Sequence, residues 1–306
     1  MAPKKTTRPA TAAKAKKPPG AAAKRATTSR SKPKKPSGPT PAAKQPHVRV
    51  TAGRSRRNPV MGSLSRSSAT QAGKTAHFEV SYLTSLGQQG ADLAAAILQN
   101  CERDYTALQQ IFGGITPHRL PFVVQVTADA SGASHSSCMG TDISVGGKSG
   151  GNVDFIRSLL VAEADEVFMA NFGHGWDCGA SPGEGLSRVL ANDFYQGVEP
   201  ADFVASNVWL NLNPRPNFVD NTDPTDRNYD SIGCAVLFLN WLRFQQNYSW
   251  AQIVAGGGAT LAETYQSLTG KATGWVDFAA FMSAQFPVGR QYDLTTDNPF
   301  PINLTA

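Results

Sequence analysis

Residues 154–171 read DFIRSLLVAEADEVFMAN. Ile156, Leu159, Leu160, Val167 and Ala170 recur at helical spacing, so the stretch is expected as a core-facing helix with Asp154 as N-cap and Gly173 closing its end. Glu163 interrupts that apolar stripe and Glu166 follows three residues later, so two carboxylates are neighbours on the helix. A third acid, Glu184, begins the next expected helix within Pro182-Gly183-Glu184-Gly185-Leu186, where the flanking glycines permit close backbone approach. Carboxylates crowded into a partly buried space repel one another and lose hydration, and they call for a metal, a proton or an arginine. Ordinary ion pairs are the alternative, because Arg188 lies four residues after Glu184 and Arg157 precedes Glu163 by one and a half turns.

Outward from this helix, residues 78–83 (FEVSYL) read as a strand and residues 90–112 as a long helix. Its apolar stripe runs through Leu93, Ala94, Ile97, Leu98, Cys101, Tyr105, Leu108 and Ile111. Further strands are expected at 121–126 (PFVVQV) and 141–145 (TDISV). Beyond Glu184, apolar periodicity predicts helices carrying Leu186, Val189, Leu190 and Phe194, then at 232–248, 259–269 and 273–286. Strands first and helices later predict an α+β domain. Gly147-Lys148-Ser149 ends like a phosphate-binding loop, but Asp142 stands where the first glycine of that motif belongs, so 146–151 is expected as a plain turn.

In this order of elements, and in LLVAEADEVF followed by GEGLSRVLA and YDSIGCAVLFLNWL, the chain resembles the thermolysin-like (gluzincin, peptidase MA) zinc metallopeptidases over roughly residues 76–286. The resemblance implies a zincin-like fold and a cleft for a peptide. The family's His-Glu-x-x-His motif falls on Ala162 to Glu166: its histidines on Ala162 and Glu166, its catalytic glutamate on Glu163, and its third zinc ligand on Glu184. Ala162 has no ligand atom and Glu166 replaces an imidazole, so the standard zinc set does not assemble, and an oxygen-rich remnant suits a harder divalent cation such as Ca²⁺, Mg²⁺ or Mn²⁺. His174 or Cys178, in the loop between the two helices, stands as a substitute ligand. Tyr229 lies where the resemblance places a transition-state donor, with a core or capping tyrosine as the plain alternative. The implied activity is that of an inactive or non-standard relative, or else of a metal-dependent peptide hydrolase with a rewired site. The aspartates at 220, 223, 226 and 230 lack the central glycine of a calcium loop and read as Asx turns and an N-cap at Asp230.

Charge divides the chain. The net +6 of these 306 residues combines +19 before Glu79, the first acid, with −13 after it. Residues 1–73 hold no aromatic side chain and pair their cations at Lys4-Lys5, Lys16-Lys17, Lys34-Lys35 and Arg56-Arg57, in amino-acid usage like the tails of linker histones. Such a segment cannot offset its ordering entropy, and it is expected as a disordered tail that binds nucleic acid or another polyanion without sequence preference, or simply as a solvated arm. Residues 74–290 are expected as the globular domain and 291–306 as a C-terminal extension. No apolar run is long enough to span a membrane and none follows the first basic residues as a signal peptide would require, so an intracellular protein is expected. Four cysteines without a CxxC pair point to buried free thiols.

Overall fold

The computed structural model describes residues 68–128, 132–147, 152–200 and 203–303. Lys4, Lys5, Lys16, Lys17, Lys34, Lys35, Arg56 and Arg57 lie outside the described residues, as does most of the 146–151 turn.

Five strands form one mixed sheet: β1 (Ala69–Lys74), β2 (Phe78–Leu83), β3 (Phe122–Thr127), β4 (Ala133–His135) and β5 (Asp142–Gly146), in the order β1-β2-β3-β5-β4. β2, β3 and β5 run parallel, while β1 and β4 close the two edges antiparallel. Register follows from the apolar positions. Val80 pairs with Val124 and Val124 with Ile143, and all three are fully buried, so one continuous apolar row crosses the parallel strands.

That row is covered by α1 (Gly87–Ile111), whose buried Leu93, Ala94, Ile97, Cys101, Tyr105 and Leu108 are the stripe expected from the sequence. α2 (Val153–Phe172) packs against α1, β4 and β5, and α3 (Ser181–Phe194) packs in turn on α2. The later helices are α4 (Ser206–Leu210), α5 (Tyr229–Asn240), α6 (Trp250–Ala255), α7 (Leu261–Thr269) and α8 (Gly274–Gln285). Every side chain of α5 from Ile232 to Leu239 is buried, which makes it the central helix of this half.

Several boundaries differ from expectation for local reasons. The N-cap of α2 is Asn152, whose side chain accepts from the amides of Asp154 and Phe155 at 3.1 and 3.4 Å. Asp154 instead pairs with Arg157 at 2.8 Å, which draws Arg157 away from Glu163. Asn228, and not Asp230, caps α5. The helix expected over 232–248 divides after Asn240 into a π-helical turn, Trp241–Gln245.

The expected domain limits of 74 and 290 both move outward. β1 lies within the segment read as tail, because ATQAGK carries no large apolar residue to mark it as a strand. Residues 291–303 are bound into the domain. Asn211 and Asn207 each exchange two hydrogen bonds with the backbone of Tyr292 and Leu294, and the Asp297 carboxylate accepts from the amides of Ala205 and Ser206 at the start of α4.

β1 supplies the antiparallel partner that covers the outer edge of β2. A chain beginning at Thr75 is therefore expected to unfold several degrees below one beginning at Ser68 in a thermal melt. Equal melting temperatures would show that β1 contributes nothing to the domain.

Candidate functional site

Helix geometry places Glu163 and Glu166 side by side on α2, and the first turn of α3 brings Glu184 to the same place. The two glycines around Glu184 make this possible. A Cβ on Gly183 would collide with the carbonyl of Asp177, and one on Gly185 would come within 2.6 Å of the Ala235 methyl on α5. The first glycine lets the loop between α2 and α3 lie directly on α3, and the second lets α3 lie on α5.

A fourth group arrives from the sheet. His135, the last residue of edge strand β4, places Nε2 2.8 Å from Glu166 Oε2 and 3.8 Å from Glu163 Oε2. Its Nδ1 faces the Gly140 carbonyl at 3.4 Å, a long contact that orients the ring with Nδ1–H toward the backbone and Nε2 toward the carboxylates. On the far side, Arg188 Nε stands 4.0 Å from Glu184 Oε2, and its guanidinium covers the Tyr229 ring at 5.1 Å.

Only 8–13% of the His135, Glu163, Glu166 and Glu184 side chains is exposed, so desolvation dominates their titration. Burial, reinforced by the charge of Glu184, pushes Glu163 up to about 8. Burial pushes Glu184 up to about 7, with Arg188 opposing the rise and Asp226 adding to it. Glu166 is raised well above the carboxylate range by burial, then by Glu163, Glu184 and Asp165. Burial drives His135 the other way, toward the neutral imidazole. Burial thus disfavours the charged forms of both halves of the closest pair. Asp165, on the opposite face of α2, is fully buried, and neither of its oxygens has a hydrogen-bond partner among the described residues. Burial pushes it, too, well above the ordinary carboxylate range.

Of the residues singled out in the sequence, Glu163, Glu166 and Glu184 converge as expected. Tyr229 opens α5 and borders the cluster through Arg188. His174 does not join it: the residue is exposed, adopts φ +55° in the turn after α2, and stacks on Phe172 with ring centroids 4.5 Å apart. The expectation of free thiols holds for Cys101 and Cys234 and fails for the other two, since Cys138 and Cys178 form a disulfide with Cα atoms 5.8 Å apart. Disulfides persist mainly in oxidising compartments, so the intracellular expectation draws no support from this pair. Among the described residues no helix is long and apolar enough to cross a membrane.

Reasoning from sequence missed His135. It stands alone in a Gly/Ser-rich stretch on a strand of three residues, too short for any periodic signal. The standard zinc set of the resemblance does not fit here, because Ala162 offers only a methyl group where the first imidazole belongs. The ligand atoms that do approach one another belong to His135, Glu166 and Cys178, all within 4.8 Å. No family model, curated protein or solved structure matches this chain.

The raised carboxyls fix the direction of the pH dependence. Between the ordinary value of 4.5 and about 8, the folded protein retains protons that the unfolded chain releases, so stability falls as pH rises through that window. Glu163→Gln removes one such group. It is expected to raise the melting temperature at about pH 8 and to flatten its decline from about pH 5. A profile as steep as that of the unaltered protein would show that Glu163 is not held protonated.

Proposed function

We propose that the domain is a metallopeptidase-like fold whose cleft binds an extended peptide and, in the disulfide-bonded form, does not hydrolyse it through a zinc centre. The observation that carries this reading is the His135–Glu166 contact of 2.8 Å. It occupies the position where the resemblance places the second zinc-binding imidazole, and Ala162 leaves the first without a donor. Glu163, at the position of the family's catalytic base, is held near 8 and therefore largely keeps its proton at neutral pH, whereas a general base must give it up first. What supports a peptide is the position of the cluster beside β4. This strand occupies one edge of the sheet order, and sheet edges take up extended peptides through main-chain hydrogen bonds.

Fluorescently labelled, unfolded casein peptides are the probe. The non-reduced protein is expected to bind them without cleavage above background, with or without added zinc. Absence of binding by the non-reduced protein would overturn the peptide reading. Zinc-dependent cleavage lost in Glu163→Gln would overturn the reading in favour of a rewired hydrolase.

The +19 carried before Glu79 supports a second, compatible function, the holding of nucleic acid by the basic segment. Duplex DNA is expected to bind the full chain at least about tenfold more tightly at low salt than a chain beginning at Ser68, with the difference shrinking as salt rises. Equal affinities across the salt series would eliminate this function.

A further inference from the structure

The disulfide sits on the rim of the cluster. Cys138 lies in the turn that follows β4 and His135, closed by the Gly140 amide donating to the Ser137 carbonyl at 2.6 Å. Cys178 lies in the loop between α2 and α3, buried, six residues before Glu184. Their bond therefore ties the end of the edge strand to the loop above α3. The Cys178 sulfur, an imidazole nitrogen of His135 and a carboxylate oxygen of Glu166 all lie within 4.8 Å of one another. Cys138, Asp177 and Cys178 form a second group that meets the same limit.

We propose that reduction of the Cys138–Cys178 disulfide turns this cluster into a zinc site, with the Cys178 thiolate, His135 Nε2 and the Glu166 carboxylate as its protein ligands. One sulfur, one nitrogen and one oxygen form a donor set that zinc accepts tetrahedrally, with a fourth position left for water or an incoming group. The ligands come from three separate elements: the end of β4, the middle of α2, and the loop that follows α2. The His135 ring is already turned with Nε2 toward Glu166, as a metal-binding imidazole is when its other nitrogen faces a backbone carbonyl.

Contacts other than the disulfide hold Cys178 in place. The Trp176 indole donates to the Val254 carbonyl at 2.9 Å, the Thr225 amide donates to the Gly179 carbonyl at 3.0 Å, and Gly183 lies directly beneath the Asp177 carbonyl. When the sulfur–sulfur bond is cut, the Cys178 thiol therefore stays beside the imidazole. Cys138, in a partly exposed turn, is the sulfur that a reductant reaches.

The chemistry balances with a dithiol as reductant. One of its thiolates attacks the Cys138 sulfur, the Cys138–Cys178 bond breaks, and Cys178 leaves as thiolate. The second thiol of the reductant then displaces Cys138 from the mixed disulfide. Two electrons pass from the dithiol, which leaves as its own disulfide, and the protein gains two thiols. Zinc takes up the Cys178 thiolate, and any proton on the ligand atoms of Glu166 and His135 passes to solvent. In the oxidised protein the same sulfur is bonded to Cys138 and has no thiolate to offer, so the disulfide acts as the gate of the site.

The inference goes beyond peptide binding in the same cleft, and the two are read by different measurements: casein binding by the non-reduced chain tests the former function, metal uptake tests this one. The full-length protein is reduced, freed of reductant without air, and titrated with Co²⁺ and then Zn²⁺ against a chromophoric chelator. The expected result is one ion per reduced chain, at least about tenfold tighter than for the oxidised chain, with the near-ultraviolet sulfur-to-cobalt charge-transfer band of a thiolate ligand. Cys138→Ser, which leaves Cys178 free, is expected to bind Co²⁺ with that band and without any reductant. Cys178→Ser and His135→Ala are expected to lose the tight site, with circular dichroism unchanged. Equal affinity before and after reduction, or a thiolate band that persists in Cys178→Ser, would overturn the inference. Cys101 and Cys234, buried elsewhere, remain in every variant as the internal control.

Discussion

The contact between His135 Nε2 and Glu166 joins the sheet to the helical body. β4 has only three residues and pairs with β5 alone among the described strands, so its ladder contributes little. The imidazole, the turn behind it and the disulfide to the loop above α3 fix the end of that strand against α2. These contacts hold the edge of the sheet over the carboxylates.

This arrangement is costly. Four ionisable side chains and the fully buried Asp165 crowd around α2, and within this group Arg188, paired with Glu184, is the cation the structure shows. Burial therefore pushes these carboxyls toward their protonated forms. The other core positions of α2 include Ile156, Leu160, Val161, Val167, Phe168 and Met169, and apolar residues of similar size in place of the acids would pack there without desolvation cost. Local choices that oppose stability in an otherwise consistent fold are expected at functional or strained positions.

The sequence announced this helix and its acids clearly, because helical periodicity makes an interrupted stripe visible: Glu163 stands out among Ile156, Leu160 and Val167. β2 was equally legible from FEVSYL, whose Phe78 and Val80 alternate into the core. What stayed hidden depends on contacts distant in the chain. His135 reaches Glu166 across 31 residues, and Cys138 reaches Cys178 across 40, through a fold that no spacing rule encodes. β1 and β4 escaped because ATQAGK and ASH carry no large apolar residue, and α4 and α6 because five and six residues make less than two helical turns. The caps Asn152 and Asn228 each lie two residues before the aspartate expected in that role, since either side chain caps a helix and only the backbone turn decides between them.

The same separation explains why the motif misleads when read linearly. Ala162 to Glu166 looks like a metal site that lost both imidazoles, yet a histidine still meets the carboxylates, delivered by the sheet and not by α2. An imidazole from β4 differs in its support from one on α2. A donor on the helix is fixed by the helix alone, whereas His135 is placed by a short edge strand and a turn, and that turn is joined by its sulfur to the loop above α3. The turn behind the imidazole is thus tied to the loop whose sulfur thiol chemistry releases beside it. In this architecture the bonding state of two cysteines sets the ligand chemistry of the cleft, and the carboxylates of α2 and α3 supply the fixed background against which it changes.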